Sequence, residues 1–393
     1  MNEQKRLTRG LLLCMSAGAG VCVASLYYIQ PLLAAIRSTF QISSPMAAIL
    51  VTFTQIGYAI GLFLVLPAAD ILNRKRLILS VMIIHVAVLF VMAACGTYLL
   101  AIFLCVAVGF TAVTPQLLVP LTATLSSPAE RGKNVGVVSG GLMLGILFAR
   151  SASGLIGGRF GWHTIYVIAP IVVFVFVLIF IKIIPHMQPA QTISYRETMR
   201  SLLALPGKYT RLRASMLSGF LAFSVFCSFW TVLTFHLNGQ PFGYRTEIIG
   251  LFGLFGAFGA LMAPVAGRIA DKKGVNFSLS VHCVIAIAAT IILAVAGWTV
   301  GGVIAGAIVL DYGIQSCNVT NQARIQALSD TERNRITSIY MVCFFFGGAF
   351  GSAVGSKVYD HFGWGGFVAF ALALLVIMII THLIGAAREK QSK

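Results

Sequence analysis

The sequence predicts an all-α polytopic membrane protein with twelve transmembrane helices, arranged as two six-helix bundles that repeat in parallel. Composition is the first of three observations behind this prediction. Only 10% of the 393 residues are charged and 58% are apolar, whereas about 25% of the residues in a soluble domain are charged. The other two observations are long segments without charge and an internal repeat of about 200 residues.

Several segments contain no Asp, Glu, Lys or Arg, and a membrane-spanning helix needs about 20 such residues. The longest segments must therefore each contain two helices. Their apolar residues are continuous rather than alternating, which excludes a transmembrane β-barrel. The charge-free segments are 10–36, 38–69, 77–129, 214–244, 248–267, 274–310, 336–356 and 361–387.

Turn signals near residues 96 and 297, together with the charges, divide these segments into twelve spans. Span 1 follows a basic segment, as the core of an export leader would, but its run of 27 residues is too long for one. We therefore expect span 1 to be retained as a helix. The predicted spans are 10–36, 46–69, 77–95, 98–125, 135–158, 162–184, 214–238, 248–270, 277–297, 299–323, 336–357 and 364–386.

The distribution of Lys and Arg predicts the orientation. An even number of spans places both termini on one side, and nearly all basic residues fall on that side, including those of the 185–213 loop. Cytoplasmic loops carry such an excess, so we predict that both termini and this loop are cytoplasmic. The net charge of +17 is then a topology signal, and we expect no nucleic-acid partner. The basic residues that do not fall on the side of the termini are Arg37, Arg159, Arg245 and Lys357 on the other side, and Arg150 within a span.

Three motifs recur after about 200 residues, which indicates a duplicated six-helix unit. We predict an N-terminal bundle over 1–184, a linker over 185–213 and a C-terminal bundle over 214–393. The recurring motifs are Ala69-Asp70 with Ala270-Asp271, Glu130-Arg131 with Glu332-Arg333, and RFGW at 159–162 with HFGW at 361–364.

The segment 267–274 (GRIADKKG) resembles the GxxADxxG loop signature of the major facilitator superfamily. The first-half copy is similar, with Leu66 and Asn73 at the two glycine positions. The resemblance implies the major facilitator fold and alternating-access transport, with the substrate site at the midplane between the two halves.

Span 5 is similar to the antiporter motif G-x8-G-x3-G-P-x2-G-G of the bacterial drug and metabolite efflux group. Gly136, Gly145 and Gly154 occupy motif positions, whereas Ala149-Arg150 replaces Gly-Pro. The resemblance implies a drug:proton antiporter of the bacterial inner membrane. Its partners would be a small-molecule substrate, protons and the lipid bilayer, and we expect a monomer.

Asp311 is the single carboxylate inside a predicted span, about 12 residues and roughly 18 Å into span 10. A lone acid within the membrane is costly, so it is a functional candidate that faces protein or water. Gln315, Asn318 and Gln322 share its helix face. This stripe predicts a proton-coupling site at Asp311, or alternatively a hydrogen-bond ladder that holds helices together.

Arg150 is the single basic residue deep inside a span. Three interpretations stay open: it binds an anionic group of the substrate, it pairs with Asp311 in one conformer, or it makes a static packing contact.

Aromatic and polar side chains complete the predicted substrate cavity. Spans 1 and 7 line the cavity in the family, which favours substrate contact for their aromatic residues, although core packing is an equally good interpretation. Phe223, Phe226 and Trp230 share one face of span 7. The candidates besides Arg150 and the Asp311 stripe are Tyr27, Tyr28, Gln30, Gln55, Gln116, Trp230 and His236.

The two loops that resemble the family signature supply candidate gate residues, namely Asp70 and Arg74 in the first half and Asp271 and Lys272 in the second. A charge at a helix end can latch one conformer by pairing with a neighbouring bundle. A solvated turn is the alternative.

Glycine spacing predicts close helix contacts. In span 8, Gly250, Gly253 and Gly256 recur every three residues, and such small faces allow helix backbones to touch.

These features favour a secondary transporter that exports a small amphipathic compound against proton entry. A uniporter or importer with Asp311 and Arg150 as substrate ligands is the alternative. An enzyme would need more convergent acid, base or metal groups, and no ATP-binding GxxxxGK[ST] loop occurs. We expect no cofactor and no metal, because the cysteines lie singly in apolar segments.

Overall fold

Helices make up almost all of the described chain in this computed structural model. The structure describes residues 7–69, 71–127, 129–185, 194–261, 263–329 and 332–391. The helices are α1 (Arg9–Ala24), α2 (Ile29–Phe40), α3 (Ser44–Ala68), α4 (Arg74–Ala93), α5 (Tyr98–Thr111), α6 (Thr114–Leu125), α7 (Arg131–Phe160), α8 (His163–Ile183), α9 (Tyr195–Lys208), α10 (Thr210–Asn238), α11 (Thr246–Leu261), α12 (Ala263–Lys273), α13 (Val275–Ala296), α14 (Val300–Gln326) and α15 (Arg333–Gln391).

Within the described ranges, ten helical segments are long and apolar enough to cross a membrane, two of them being the pairs α1–α2 and α5–α6. Helix α15 has 59 residues, about 90 Å at 1.5 Å each, which is three times the hydrocarbon thickness of about 30 Å. The backbone leaves helical geometry at Gly363, so α15 makes two crossings. The pair α11–α12 makes the remaining one, and the prediction of a twelve-span, all-helical fold is confirmed.

The predicted spans 1 and 4 are each broken into two helices. Proline explains both breaks, because its ring displaces the carbonyl four residues earlier and it lacks an N–H to donate. For Pro31 that residue is Tyr27, which lies in the turn between α1 and α2. For Pro115 it is Thr111, the last residue of α5. The first break brings Tyr27 and Tyr28 out of regular helix near the middle of the membrane.

Corresponding turns of the sequence repeat have the same local conformation. Gly161 and Gly363, 202 residues apart, both have positive φ, at +87° and +62°. Thr97 and Thr299, also 202 residues apart, both cap a helix by accepting a backbone N–H three residues on. The division into bundles at 184 and 214 stays a prediction.

Contacts between the two sequence halves concentrate toward one side of the membrane. We call the side with the short turns after α2, α7 and α10 the opposite face, and the side of the chain ends the terminal face. The Ser352 hydroxyl donates to the Ala48 carbonyl at 3.3 Å, and the Ser151 hydroxyl donates to the Gly250 carbonyl at 3.1 Å. Because Ala48 and Gly250 lie near the starts of α3 and α11, these bonds hold the halves together near the opposite face.

Helix α9, in the predicted linker, contacts both halves at the terminal face. The Tyr195 hydroxyl donates to the Leu64 carbonyl at 2.9 Å, and Lys208 Nζ lies 2.8 Å from a Glu332 carboxylate oxygen. Tyr209 donates to the same oxygen at 2.6 Å. The hydrogen bonds from Lys208 and Tyr209 hold the pKa of Glu332 below its ordinary value. The linker is therefore attached to the start of α15 as well as to the end of α3.

Candidate functional site

Asp311 is enclosed by protein at the middle of α14. Asp311 is only 2% exposed, and its Oδ1 accepts the indole N–H of Trp230 at 3.1 Å. A carboxyl group in such a place needs hydrogen bonds and a compensating charge, or a proton of its own. The Trp230 bond supplies the first of these.

Arg150, on α7, supplies the nearby charge. The residue is 3% exposed, and its Nε donates to Gln30 Oε1 at 2.8 Å. The guanidinium carbon lies 4.1 Å from the ring centre of Trp230, with Tyr27 and Phe226 slightly farther at 5.1 and 5.3 Å. Aromatic ring faces attract cations, most strongly when water is excluded, so this aromatic cluster holds the guanidinium inside the membrane.

Trp230 connects the two charged residues. Its ring face contacts the Arg150 guanidinium and its N–H binds the Asp311 carboxylate. Among the side chains that the structure describes, Arg150 and Asp311 form no direct ion pair. Trp230 thus touches both charged groups, an arrangement in which a change of charge at one residue affects the other.

The glycine row of α11 makes this cluster possible. Gly250 lies against the backbone of Gly154 on α7, and Gly253 lies against the Arg150 side chain. A methyl group at Gly256 would overlap both the Trp230 ring and Asp311 Oδ2. The predicted close helix contact therefore occurs at the site itself.

We expect Gly256→Ala to displace Trp230 or Asp311, because neither the ring nor the carboxylate has room for a new methyl group. Such overpacking costs about 1 to 3 kcal/mol of unfolding free energy, and we expect it also to slow transport. Unfolding in mixed micelles and transport by reconstituted protein would measure the two effects. Gly301→Ala, in the first turn of α14, is the matched control because nothing lies within 4 Å of the new methyl group. Equal stability and rates in both variants would contradict the prediction.

A small cavity lies beside Arg150, between α2, α7, α10 and α11, with room for about one water molecule. Arg150 Nη2 and Gln30 Nε2 are both buried and have no hydrogen-bond partner among the described residues. On one side of the cavity the Thr234 hydroxyl donates to the main-chain carbonyl of Gln30 at 3.0 Å. The lining includes Gln30, Arg150, Trp230, Leu233, Thr234 and Ile249.

The rest of the polar stripe on α14 is partly used in helix contacts. Asn318 Oδ1 accepts the Tyr340 hydroxyl at 2.9 Å and the Gln322 amide at 3.2 Å. Gln315 is buried between Asp311 and this pair. The stripe thus faces protein, as its sequence pattern predicts, and Asn318 and Gln322 form a hydrogen-bond ladder with Tyr340.

Other predicted cavity residues lie apart from the Arg150 cluster. Tyr28 packs edge-on against Tyr166, within the first half. His236 stacks on Trp364 at 3.9 Å and bonds the Gly297 carbonyl at 3.0 Å, close to the opposite face.

Two predicted glutamines lie near Tyr58. Gln55 is fully buried, and neither amide atom of its side chain has a partner among the described residues. Gln116 lies beside the hydroxyl of Tyr58. The ring of Tyr58 packs on that of Phe345, with 4.4 Å between the ring centres. Both glutamines thus lie near the contact between α3 and α15.

The predicted gate residues are only partly described. Asp70 lies outside the described residues. Arg74 donates to the Thr124 hydroxyl at 3.0 Å. Asp271 and Lys272 are exposed at the end of α12, and no ion pair joins either of them to another described residue.

Sequence reasoning named Phe226, Gly253 and Gly256 without assigning them to the site. Phe226 shares a helix face with Trp230, one turn away, and this spacing already indicated a position beside it. Gly253 and Gly256 were noticed as a packing row, but nothing in the sequence indicates which side chains pack on it.

Comparison with known proteins assigns the chain to a family. The family model described as Major Facilitator Superfamily matches residues 15–331. The chain is 34% identical over 384 residues, 98% of both chains, to "Uncharacterized transporter YgaY" of Escherichia coli O157:H7. It is 31% identical over 362 residues to "Probable transporter SCO4007" of Streptomyces coelicolor, covering 91% of this chain and 83% of that one.

A solved structure has the same fold. The nucleoside transporter NupG superposes with a TM-score of 0.75 over 95% of this chain and 98% of that one, at 16% identity. A likeness at that identity concerns the fold alone. Together with the relatives, it shows a multi-pass membrane transporter, and the chain belongs to the major facilitator superfamily.

Proposed function

We propose that this transporter couples substrate movement to protons by alternating access, with Asp311 as the proton carrier. The supporting observation is the buried Asp311 carboxyl, which is linked through Trp230 to the Arg150 cation of the other sequence half. A carboxyl group between two halves can gain and lose a proton as access to it alternates between the two membrane faces.

In this proposal the moving units are the bundles 1–184 and 214–393, joined by the 185–213 linker. Gln30 and Arg150 come from the first unit, and Trp230 and Asp311 come from the second. Movement of one bundle against the other would therefore change the contacts of Arg150 with Trp230 and Phe226 and the bond between Thr234 and Gln30, and leave the bonds within each bundle in place. The contacts near the opposite face favour a conformer that is closed on that side.

Export of a small amphipathic compound against proton entry is the direction that the antiporter-like pattern of α7 favours. The excess of Lys and Arg favours a cytoplasmic terminal face in the bacterial inner membrane. The gate loops would latch one conformer through Asp70, Arg74, Asp271 and Lys272. The exposed positions of Asp271 and Lys272 fit an open latch at the terminal face.

Uptake or uniport, with Arg150 and Asp311 as substrate ligands, is a second candidate. Arg150 stands where the antiporter motif has proline, and its Nη2 has no partner among the described residues. A cation with a free donor is a ligand for a substrate anion.

Transport into inside-out vesicles, over a panel of amphipathic compounds and under pH gradients of both signs, tests the proposal. Proton-driven export predicts accumulation of a compound only when the vesicle interior is the acidic side. Accumulation with the reversed gradient would support uptake with protons. Transport that no pH gradient alters would refute proton coupling.

A further inference from the structure

Two residues that line the same small cavity each have a buried hydrogen-bond donor without an acceptor in the described part of the chain. Arg150 Nη2 and Gln30 Nε2 are buried, and neither bonds another described residue, although both residues line the cavity. A buried polar group without a partner costs about 1 to 3 kcal/mol, and more when it is charged. Protein interiors seldom leave two such donors together unless something else supplies the acceptors.

The identity of both donors is fixed by the chemistry of Arg150. Arginine has no acceptor atom, so the Gln30 atom that receives its Nε–H must be the amide oxygen. The remaining Gln30 atom is then the amide nitrogen. The main-chain carbonyl of Gln30 also accepts the Thr234 hydroxyl, so the Gln30 backbone is held beside the cavity while the Arg150 bond holds its side chain.

We propose that Arg150 Nη2 and Gln30 Nε2 bind the carboxylate of a substrate that is an organic anion with an apolar body. Two oxygens of one carboxylate can accept from two neighbouring donors, and a guanidinium prefers this acceptor. Trp230, Leu233 and Ile249 line the same cavity and would contact the apolar part. In this conformer the cavity holds about one water molecule, so binding requires α10 or α11 to move away from Gln30.

The charge of Asp311 opposes this anion. The charged or titratable groups that face the cluster are Arg150 from α7, Tyr27 from the turn before α2, Tyr58 from α3, Cys227 from α10 and Asp311 from α14. Phenols and thiols ordinarily keep their protons at neutral pH, and a guanidinium always does. Asp311 is therefore the group whose proton changes the charge of the site, and its protonation leaves Arg150 free to attract a carboxylate.

A proton on Asp311 and an anion on Arg150 must then favour each other's binding by the same factor. Ligands that favour each other travel together, which is cotransport in one direction. This inference rests on the proposed function only in taking Asp311 as the proton acceptor. It favours uptake together with protons over antiport, with Arg150 but not Asp311 as a substrate ligand.

Equilibrium dialysis on the purified full-length protein in detergent tests the site with matched probes. The probes are radiolabelled benzoate and octanoate, each compared with its neutral amide of the same shape. We expect at least one carboxylate to bind about tenfold more tightly than its amide, the value of a charged hydrogen bond, and more tightly below neutral pH than above. If neither carboxylate exceeds its amide, the proposal is overturned.

Substitutions locate the binding. Arg150→Gln removes the charge, and we expect it to abolish the preference for carboxylate over amide. Asp311→Asn imitates the protonated carboxyl, so we expect about 5- to 150-fold tighter carboxylate binding above neutral pH, within the usual range of coupling between sites, and no pH dependence. Misfolding cannot produce this gain in affinity. Arg159→Gln is the matched control on the same helix, because Arg159 is exposed, and we expect its affinities to stay within about twofold of the parent.

Weaker carboxylate binding in Asp311→Asn, or an unchanged preference in Arg150→Gln, would overturn the anion site. Transport measured on the same preparations separates the two proposals. Carboxylate binding that follows these expectations without any proton-driven transport would refute proton coupling and leave the anion site intact. Proton-driven transport of a compound, with no preference for carboxylate over amide in binding, would refute the anion site and leave proton coupling intact.

Discussion

Asp311→Asn abolishes proton-driven accumulation of the substrate and leaves exchange of labelled for unlabelled substrate intact; this is the largest effect that we expect. Asparagine has nearly the shape of aspartate, and its amide oxygen can still accept the Trp230 N–H that Asp311 accepts at 3.1 Å. The variant therefore keeps the packing of the site but cannot exchange a proton. Accumulation and exchange in proteoliposomes with an imposed pH gradient would measure the two activities separately.

Asp360→Asn is the control for this experiment, because Asp360 is an exposed acid on α15 and lies far along the chain from the cluster. We expect its accumulation to equal that of the parent. Uphill transport at the parental rate in Asp311→Asn would remove Asp311 from the coupling mechanism. Loss of exchange as well as accumulation would assign Asp311 to substrate binding instead.

The sequence predicted the fold because bilayer physics constrains it strongly. Spans must be long, apolar and helical, and the duplicated motifs fix the number of helices in each half. The breaks before Pro31 and Pro115 were not predicted, although proline in a helix is a known cause. Helices within membranes tolerate many prolines, so their presence alone does not locate a break.

The charged members of the site were predictable for the same reason, since Asp311 and Arg150 stand out against apolar spans. Their relation was not predictable. The chain does not indicate that Trp230 lies between them, or that Gly256 makes room for the ring. His236 was predicted to line the cavity, but it stacks on Trp364 instead. A polar residue near the end of α10 is compatible with either position, so the sequence alone could not decide between them.

Removing Arg150 is expected to damage the protein mainly through what it leaves behind. In Arg150→Ala, Asp311 keeps its hydrogen bond from Trp230 but loses the nearby cation, and Trp230, Tyr27 and Phe226 lose the group that they enclose. Removing one member of a buried pair of charges typically costs about 3 to 5 kcal/mol, much of it from the charge that remains. We therefore expect a large loss of unfolding free energy in mixed micelles, together with loss of transport.

If the remaining charge causes much of that loss, adding Asp311→Asn to Arg150→Ala restores part of it. We expect the double variant to be more stable than the sum of the single variants by about 0.5 to 3 kcal/mol, the usual interaction energy of residues in one network. Arg150→Ala combined with Asp360→Asn is the control pair, and we expect its effects to add. Strict additivity for Arg150 and Asp311 would mean that Trp230 screens the two charges from each other. In that case Arg150 would act through its aromatic neighbours and the Gln30 bond rather than through Asp311.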